Sequence, residues 1–365
     1  MNADFEYPAD IAIVHGQLAH GGSERQLYML LQHCDRKRWR PHLYLSGELG
    51  VWESSVRALD IPVTLLHGNP IAKMWQFRRL CKAALIRRFM SWGAYTNGYA
   101  LALAGLSIPC VGSFRNAHFD DLPKRGRWFW TWLSLSGVVS IVCNSQETLA
   151  AVQSRVKAHQ RLVYIPNGVQ AITNAASYRA QWRRRLEIDD QEILVVGVGR
   201  LSAQKNFARF IDAVILANQT CRMRAVIAGP DLGLRSTLQR HIEAAHLAPG
   251  TIRLIGPVPD ARELICAADI FMLSSDFEGM PNVVLEAMAA GVPCVCTRVN
   301  SMAELIEQGV HGWVTEHRPD ALAKALLQLA KDPALRHILG ENAKACVAHE
   351  YAPAMVSKRL WQLCE

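Results

Sequence analysis

Two carboxylates, Glu278 and Glu286, stand eight residues apart in the segment FMLSSDFEGMPNVVLEAMAAG, Phe271–Gly291. A carboxylate is acceptor-only, and each of its two oxygens can take donors from the hydroxyls of a sugar or a ribose. Upstream, VGRLSAQKN (Val198–Asn206) places Arg200 and Lys205 five residues apart where an apolar run ends at a glycine. A diphosphate that departs from a sugar develops negative charge, which an arginine fork and a lysine point charge can stabilise without a metal. Near the start, HGQLAHGGSER (His15–Arg25) sets Gly21 and Gly22 ahead of a helical pattern. Glycines let a backbone come close to a ligand, and the first amides of a helix suit phosphate. Each motif alone has a plainer reading: solvated loop cations, an ordinary glycine turn, a carboxylate pair at a spacing chance would supply. The glycine loop is not G-x-G-x-x-G, which argues against a nicotinamide enzyme.

These residues need elements to hold them, and the chain supplies a regular alternation. Apolar, β-rich runs occur at Ile11–His15, Pro41–Leu45, Pro62–Leu66, Cys110–Ser113, Val138–Cys143 and Leu162–Ile165. After a sparse polar stretch, Gln170–Ser177, the series restarts at Ile193–Val198, Arg224–Ala228, Ile252–Ile255, Ile270–Leu273 and Pro293–Thr297. Helical spacing fills the intervals, beginning with Glu24–Cys34. Strands alternating with helices predict parallel sheets, and two series predict two Rossmann-like domains with ligands at the carboxyl ends of the strands. We place the first domain at 1–172, the second at 173–345, and a final helix within 346–365 that returns toward the first. Ser23 and Gln26 form a capping-box pattern. Pro281 suits a first helical position, and Gly291 a helix stop. Between Trp75 and Thr96 no β-rich run is evident.

The chain has 365 residues, half of them apolar, and a net charge of +8. Such a composition belongs to a globular protein. Residues 1–180 carry 20 Lys/Arg and 11 Asp/Glu, whereas 181–365 carry 20 and 21, so the basic excess belongs to the first half. The ten cysteines are scattered without ligand-like spacing, which predicts buried thiols rather than a disulfide framework or a metal site. The acidic N-terminus does not resemble a signal peptide, and no apolar run reaches membrane-spanning length. Residues 73–92 join an apolar stripe (Phe77, Leu80, Cys81, Ala84, Leu85) to the surrounding Arg78, Arg79, Lys82, Arg87 and Arg88, and 124–132 (KRGRWFWTW) add aromatics and cations. Both segments suit an anionic membrane surface, against the plainer reading of a domain helix with cations at its rim. No nucleic-acid motif accompanies the charge.

Taken in order, Gly21-Gly22, IPNGV (Ile165–Val169), VGRLSAQKN, Gly256-Pro257-Val258 and the Glu278–Glu286 segment resemble the family 4 retaining glycosyltransferases, over most of the chain. The resemblance implies an α/β fold of the GT-B class, two Rossmann-like domains facing across a cleft. It implies that Arg200 and Lys205 hold the donor diphosphate, that Glu278 contacts the transferred sugar, and that Glu286 binds ribose hydroxyls. Gly279, Met280, Asn282 and Val283 would line the donor site, Val258 would touch the base through its backbone, and Gly21 and Gly22 would approach the phosphates. On the acceptor side it points to Arg115, Asn116, His118 and Asn144, with His118 the catalytic candidate beside Arg200, Lys205 and Glu278. The family implies a nucleotide-diphosphate sugar as co-substrate, retention of configuration, no required metal or other cofactor, and a glycan or lipid-linked acceptor. These features predict a cytoplasmic enzyme, peripheral at the inner face of the membrane, in polysaccharide or lipopolysaccharide-type biosynthesis. Two other readings compete: a nucleotide-sugar epimerase or hydrolase on the same fold, and a non-catalytic glycan- or lipid-binding scaffold.

Overall fold

The computed structural model describes residues 8–19, 21–115, 122–299 and 301–365. They divide into two compact units, one running through Gly168 and completed by Pro353–Glu365, the other Val169–Ala352. The first contains β1 (Ala9–His15), β2 (Trp39–Leu45), β3 (Val63–Leu65), β4 (Arg88–Ser91), β5 (Cys110–Phe114), β6 (Ser140–Cys143) and β7 (Arg161–Tyr164). The second contains β8 (Ile193–Val198), β9 (Met223–Ala228), β10 (Ile252–Gly256), β11 (Ile270–Leu273), β12 (Cys294–Thr297) and β13 (Gly312–Thr315). The sheets are parallel, ordered β3-β2-β1-β4-β5-β6-β7 and β10-β9-β8-β11-β12-β13.

Both orders share one logic. Each sheet starts at a central strand, grows outward to one side, then crosses back to the other. The crossing leaves a switch point between β1 and β4, and another between β8 and β11, where the loops after neighbouring strands diverge and ligands are usually held. The central strands of the second sheet, β8 and β11, are apolar throughout because both faces are covered. Along β1, Ile11 and Ile13 enter one core, with the helix Gly22–Gln32 and the helix Pro353–Gln362. Ala12 and Val14 enter the other core, with Phe77 and Cys81 of the helix Pro70–Ala83 and Leu135 of the helix Arg127–Leu135.

Several sequence expectations are corrected. The stretch between Trp75 and Thr96 does contain a strand, β4, and it sits between β1 and β5 at the centre of the first sheet. Its sequence, RFMS, is four residues long and lacks β-branched side chains, so neither alternation nor propensity marks it. The strand β13 was not anticipated either. Ser23 and Gln26 form no capping box: Gly21 is the N-cap, without a side-chain bond. Gln26 instead closes a reciprocal pair with the peptide of Gly168, donating to its carbonyl at 2.7 Å and accepting from its amide at 2.8 Å. Pro281 occupies the N-cap rather than the first helical position of the helix Asn282–Ala289. That helix ends as expected: Gly291 takes φ +71°. Its amide bonds the Met288 carbonyl while Val292 reaches back to Ala287, the paired bonds of a Schellman stop. The polar stretch read as a linker contains the start of the helix Ala175–Leu186.

Candidate active site

In the second unit, the loops after β8 and β11 meet at the switch point and are stitched into one body. Lys205 Nζ donates to Glu278 Oε1 at 2.5 Å, and Ser275 Oγ donates to the same oxygen at 2.6 Å. Both partners of the ion pair are largely buried. Among the described residues Glu278 Oε2 has no hydrogen bond, so it retains acceptor capacity for a ligand hydroxyl. Ser275 is itself fixed from β12, where Thr297 Oγ1 donates to its carbonyl at 2.6 Å. Gln204 bonds the Phe277 carbonyl, and the Asp276 amide returns a bond to the Gln204 carbonyl, both at 2.9 Å. Arg209 completes the seam, bonding the Ser274 carbonyl at 2.8 Å and pairing with Asp276 at 2.7 Å. Burial raises the Asp276 carboxyl, but hydrogen bonds from Arg209 and Asn206 outweigh it and hold the group below its ordinary value.

Backbone geometry brings these loops close. Gly229, after β9, has φ +151°, and a Cβ there would lie 1.8 Å from the Gly199 carbonyl oxygen. Only glycine permits that approach. Gly229 also bonds the Gly256 carbonyl at 2.9 Å, tying the turn that carries Val258 to the same strand ends. Arg200 is exposed and, among the described residues, forms no ion pair, so its guanidinium is available to a phosphate. Gly279 and Val283 are half-buried and Met280 is buried beside Glu278 in sequence; Asn282 opens the helix that carries Glu286. Glu286 is buried on that helix. Hydrogen bonds from Arg262 to Asp260, and then the charge of Glu286, hold the Arg262 guanidinium above its ordinary value against burial. The structure thus unites Lys205 and Glu278 directly, with Ser275, Thr297 and Arg262 as neighbours that spacing alone did not single out.

The first unit gathers a different set at its strand ends. Arg115 follows β5, and its guanidinium carbon lies over the Trp92 ring, 3.7 Å from the centroid. Trp92 follows β4 and is anchored through Nε1 to the Ser23 carbonyl at 2.9 Å. Arg115 Nη1 donates to Asn167 Oδ1 at 3.1 Å. Asn144, after β6, is buried with its Oδ1 unpaired among the described residues. Gly21 and Gly22 are exposed at the start of their helix. The expected acceptor-side residues Asn116 and His118 lie outside the described residues.

Comparison with known proteins decides the lineage. Residues 179–345 match the family of glycosyl transferases group 1, and residues 20–171 match glycosyltransferase family 4. A glycosyltransferase assigned to teichuronic acid biosynthesis in Bacillus subtilis is 33% identical over 329 residues, 87% of this chain and 79% of that protein. The chain belongs to the family 4, group 1 glycosyltransferases. Another relative of this glycosyltransferase is the N-acetyl-alpha-D-glucosaminyl L-malate synthase of Bacillus anthracis, 24% identical over 60% of this chain and 59% of that protein. The Escherichia coli UDP-Gal:alpha-D-GlcNAc-diphosphoundecaprenol alpha-1,3-galactosyltransferase is 23% identical over 80% and 79%. The fold is that of Anabaena HepE in complex with UDP and glucose, with a TM-score of 0.84 at 20% identity over 97% of this chain and 98% of that one. It is also that of WaaG, a glycosyltransferase involved in lipopolysaccharide biosynthesis, with a TM-score of 0.75 at 16% identity over 96% and 99%. This glycosyltransferase therefore has the GT-B fold. Among the described residues no cluster of His, Cys, Asp or Glu is suited to a metal, and no helix is long and apolar enough to cross a membrane.

Proposed function

We propose that this glycosyltransferase moves a hexose or N-acetylhexosamine from a nucleoside-diphosphate sugar to a glycan or lipid-linked acceptor, with retention of configuration and without a required metal. The observation that carries the donor half is the buried Lys205–Glu278 pair at the β8/β11 switch point, with Arg200 exposed in the loop between. In this reading Arg200 and Lys205 stabilise the departing diphosphate, a preorganised charge of the kind that dominates such steps. Glu278 Oε2 holds a hydroxyl of the transferred sugar, and Glu286 holds the ribose. The bond from the anomeric carbon to the phosphate oxygen breaks as the acceptor oxygen bonds that carbon on the same face. The acceptor proton passes to the leaving diphosphate, so no side chain is alkylated. HepE bound to UDP and glucose and the diphosphoundecaprenol acceptor named for the Escherichia coli relative support the two substrate classes. The test is mass-spectrometric screening of a donor panel against glycan and lipid-linked acceptors. Product that forms only when both substrates are present is expected. Release of sugar or nucleotide from donor alone, at the same rate with and without acceptor, would establish the hydrolase reading instead.

The same proposal places the enzyme on an anionic bilayer at the cytoplasmic face. Residues 61–146 hold ten Lys/Arg and only two Asp/Glu. On that stretch Ile71 is 80% exposed, Trp75 66% and Trp128 79%. The helices Pro70–Ala83 and Arg127–Leu135 that carry them pack into the same core, hence on one face of the first sheet. Exposed tryptophans beside cations suit a headgroup layer. Sedimentation with anionic vesicles, absent with neutral ones and weakened by salt, is expected; indifference to lipid charge would remove the membrane from this account.

A further inference from the structure

The strand order of the second sheet sets the path of the donor. In the proposed function Arg200 and Lys205, after β8, hold the diphosphate, and Val258, after β10, touches the base. The strand β9 lies between those two. A nucleoside that joins the two loops must therefore cross the carboxyl end of β9, over residues 229–234.

That loop is mounted on both sides. Toward β8, the Leu201 amide donates to the Pro230 carbonyl at 2.8 Å, and the Leu232 amide donates to the Leu201 carbonyl at 3.3 Å. Toward β10, the Gly229 amide donates to the Gly256 carbonyl and Arg235 Nη2 to the Leu254 carbonyl, both at 2.9 Å. Within the loop, Asp231 Oδ1 accepts from the amides of Gly233, Leu234 and Arg235 at 2.8, 2.9 and 3.0 Å. The Arg235 amide first, then those of Gly233 and Leu234, hold the Asp231 carboxyl below its ordinary value.

On this braced turn stands Leu232, 57% exposed. A lone exposed leucine is ordinary, so its place is what counts. Among the described residues the second unit has two other exposed large apolar side chains, and both lie near the opposite edge of the sheet. Leu216 is in the last turn of the helix Phe207–Asn218, which starts after β8 and runs back toward the amino ends of the strands. Ile338 is two residues from Gly340, which abuts the Gly291 carbonyl just ahead of β12.

We infer that Leu232 is the apolar wall of the donor-nucleoside site, packing against one face of the base, an assignment that rests on the proposed function for where the diphosphate and the base lie. The face of a nucleobase is planar and apolar, so covering it with a leucine side chain removes apolar surface from water and leaves no polar group unpaired. The turn is already fixed by its own hydrogen bonds, so the ligand does not have to order it.

The diphosphates of uridine, guanosine, adenosine and thymidine, with pyrophosphate as the base-free control, are titrated calorimetrically into the full chain and into Leu232→Ser and Leu232→Met. For the nucleotide that wild type binds tightest, Leu232→Ser is expected to weaken binding by about fivefold to tenfold, as expected for losing part of a leucine's apolar contact. Leu232→Met, which keeps an apolar side chain of similar volume, is expected to stay within about twofold of wild type. Pyrophosphate is expected to bind all three alike, since its contacts are Arg200 and Lys205. Three results overturn the inference and leave the donor reading standing: Leu232→Ser binds the nucleotide as wild type does, Leu232→Met is as weak as Leu232→Ser, or pyrophosphate weakens as much as the nucleotide. A wild type that binds none of the four nucleotides overturns the donor reading, and this inference with it.

Discussion

The two sheets end in the same way and are finished to different degrees. After β8, β11 and β12, the groups around Glu278 satisfy one another, Lys205 with Glu278, Ser275 with Glu278 and Thr297 with Ser275, while Ser202 Oγ and Ser301 Oγ in the flanking loops stay buried without hydrogen bonds. After β1, β5 and β6, His15, Ser113, Arg115 and Asn144 keep buried polar atoms without hydrogen bonds. A group that must meet a ligand common to a whole family can be preorganised once and held by its own neighbours. A group that must choose among partners gains from being left incomplete, since only the right partner removes the desolvation penalty.

That contrast can be broken at either end. The largest effect is expected from Lys205→Ala, which should lower turnover more than ~100-fold in a steady-state transfer assay, as removing a preorganised charge does. Near-normal turnover would show that the satisfied network is structural only. Next, Glu278→Ala leaves Lys205 buried without a counter-charge and should destabilise the second unit by about 3 kcal/mol in urea denaturation. Combined with Lys205→Met it should lose less than the sum of the two single changes, by roughly 1–2 kcal/mol, and strict additivity would deny the coupling. A smaller loss, about 1 kcal/mol, is expected for Thr297→Val, which deletes the donor to the Ser275 carbonyl, with a raised KM for donor as the accompanying kinetic sign.

The smallest effect is a pH dependence. Asp276 is held below its ordinary value in the folded chain, so the unfolded chain takes up the proton first as pH falls. Its stabilisation is complete above the ordinary carboxylate pKa of about 3.9 and fades as pH drops through the lowered one. Asp276→Asn should therefore be less stable than wild type at neutral pH, with the gap closing in strong acid. A gap that persists unchanged there would assign the effect to packing.

How far the sequence foretold this depends on where the deciding interaction lies. Ile193–Val198 and Ile270–Leu273 are apolar from end to end, and their bounds are legible because strands covered on both faces need no polar interruption. Arg88–Ser91 is equally central yet begins with arginine and has no branched side chain, so a helical pattern running up to Leu85 obscures it. Arg200, Lys205, Glu278 and Glu286 announce themselves by type and local frame. The Lys205–Glu278 bond does not, since it spans 73 residues and exists because two loops diverge from one switch point. Gln26 looked like a cap residue and is a brace to Gly168, because the competing partner is 142 residues away. The stacking of Arg115 on Trp92 is of the same kind: neither residue's own neighbourhood contains the other.

The helix Pro353–Gln362 has a consequence in time. Val356, Leu360 and Trp361 belong to the first unit's core, where Trp361 stacks on Trp39 and Arg88 bonds the Cys364 carbonyl. A ribosome delivers Trp39 early and Trp361 late, with the whole second unit made in between. The first unit therefore waits with an open apolar groove while the second can already collapse. A nascent chain of this enzyme should need a chaperone's shelter at that groove until its last turn of helix emerges.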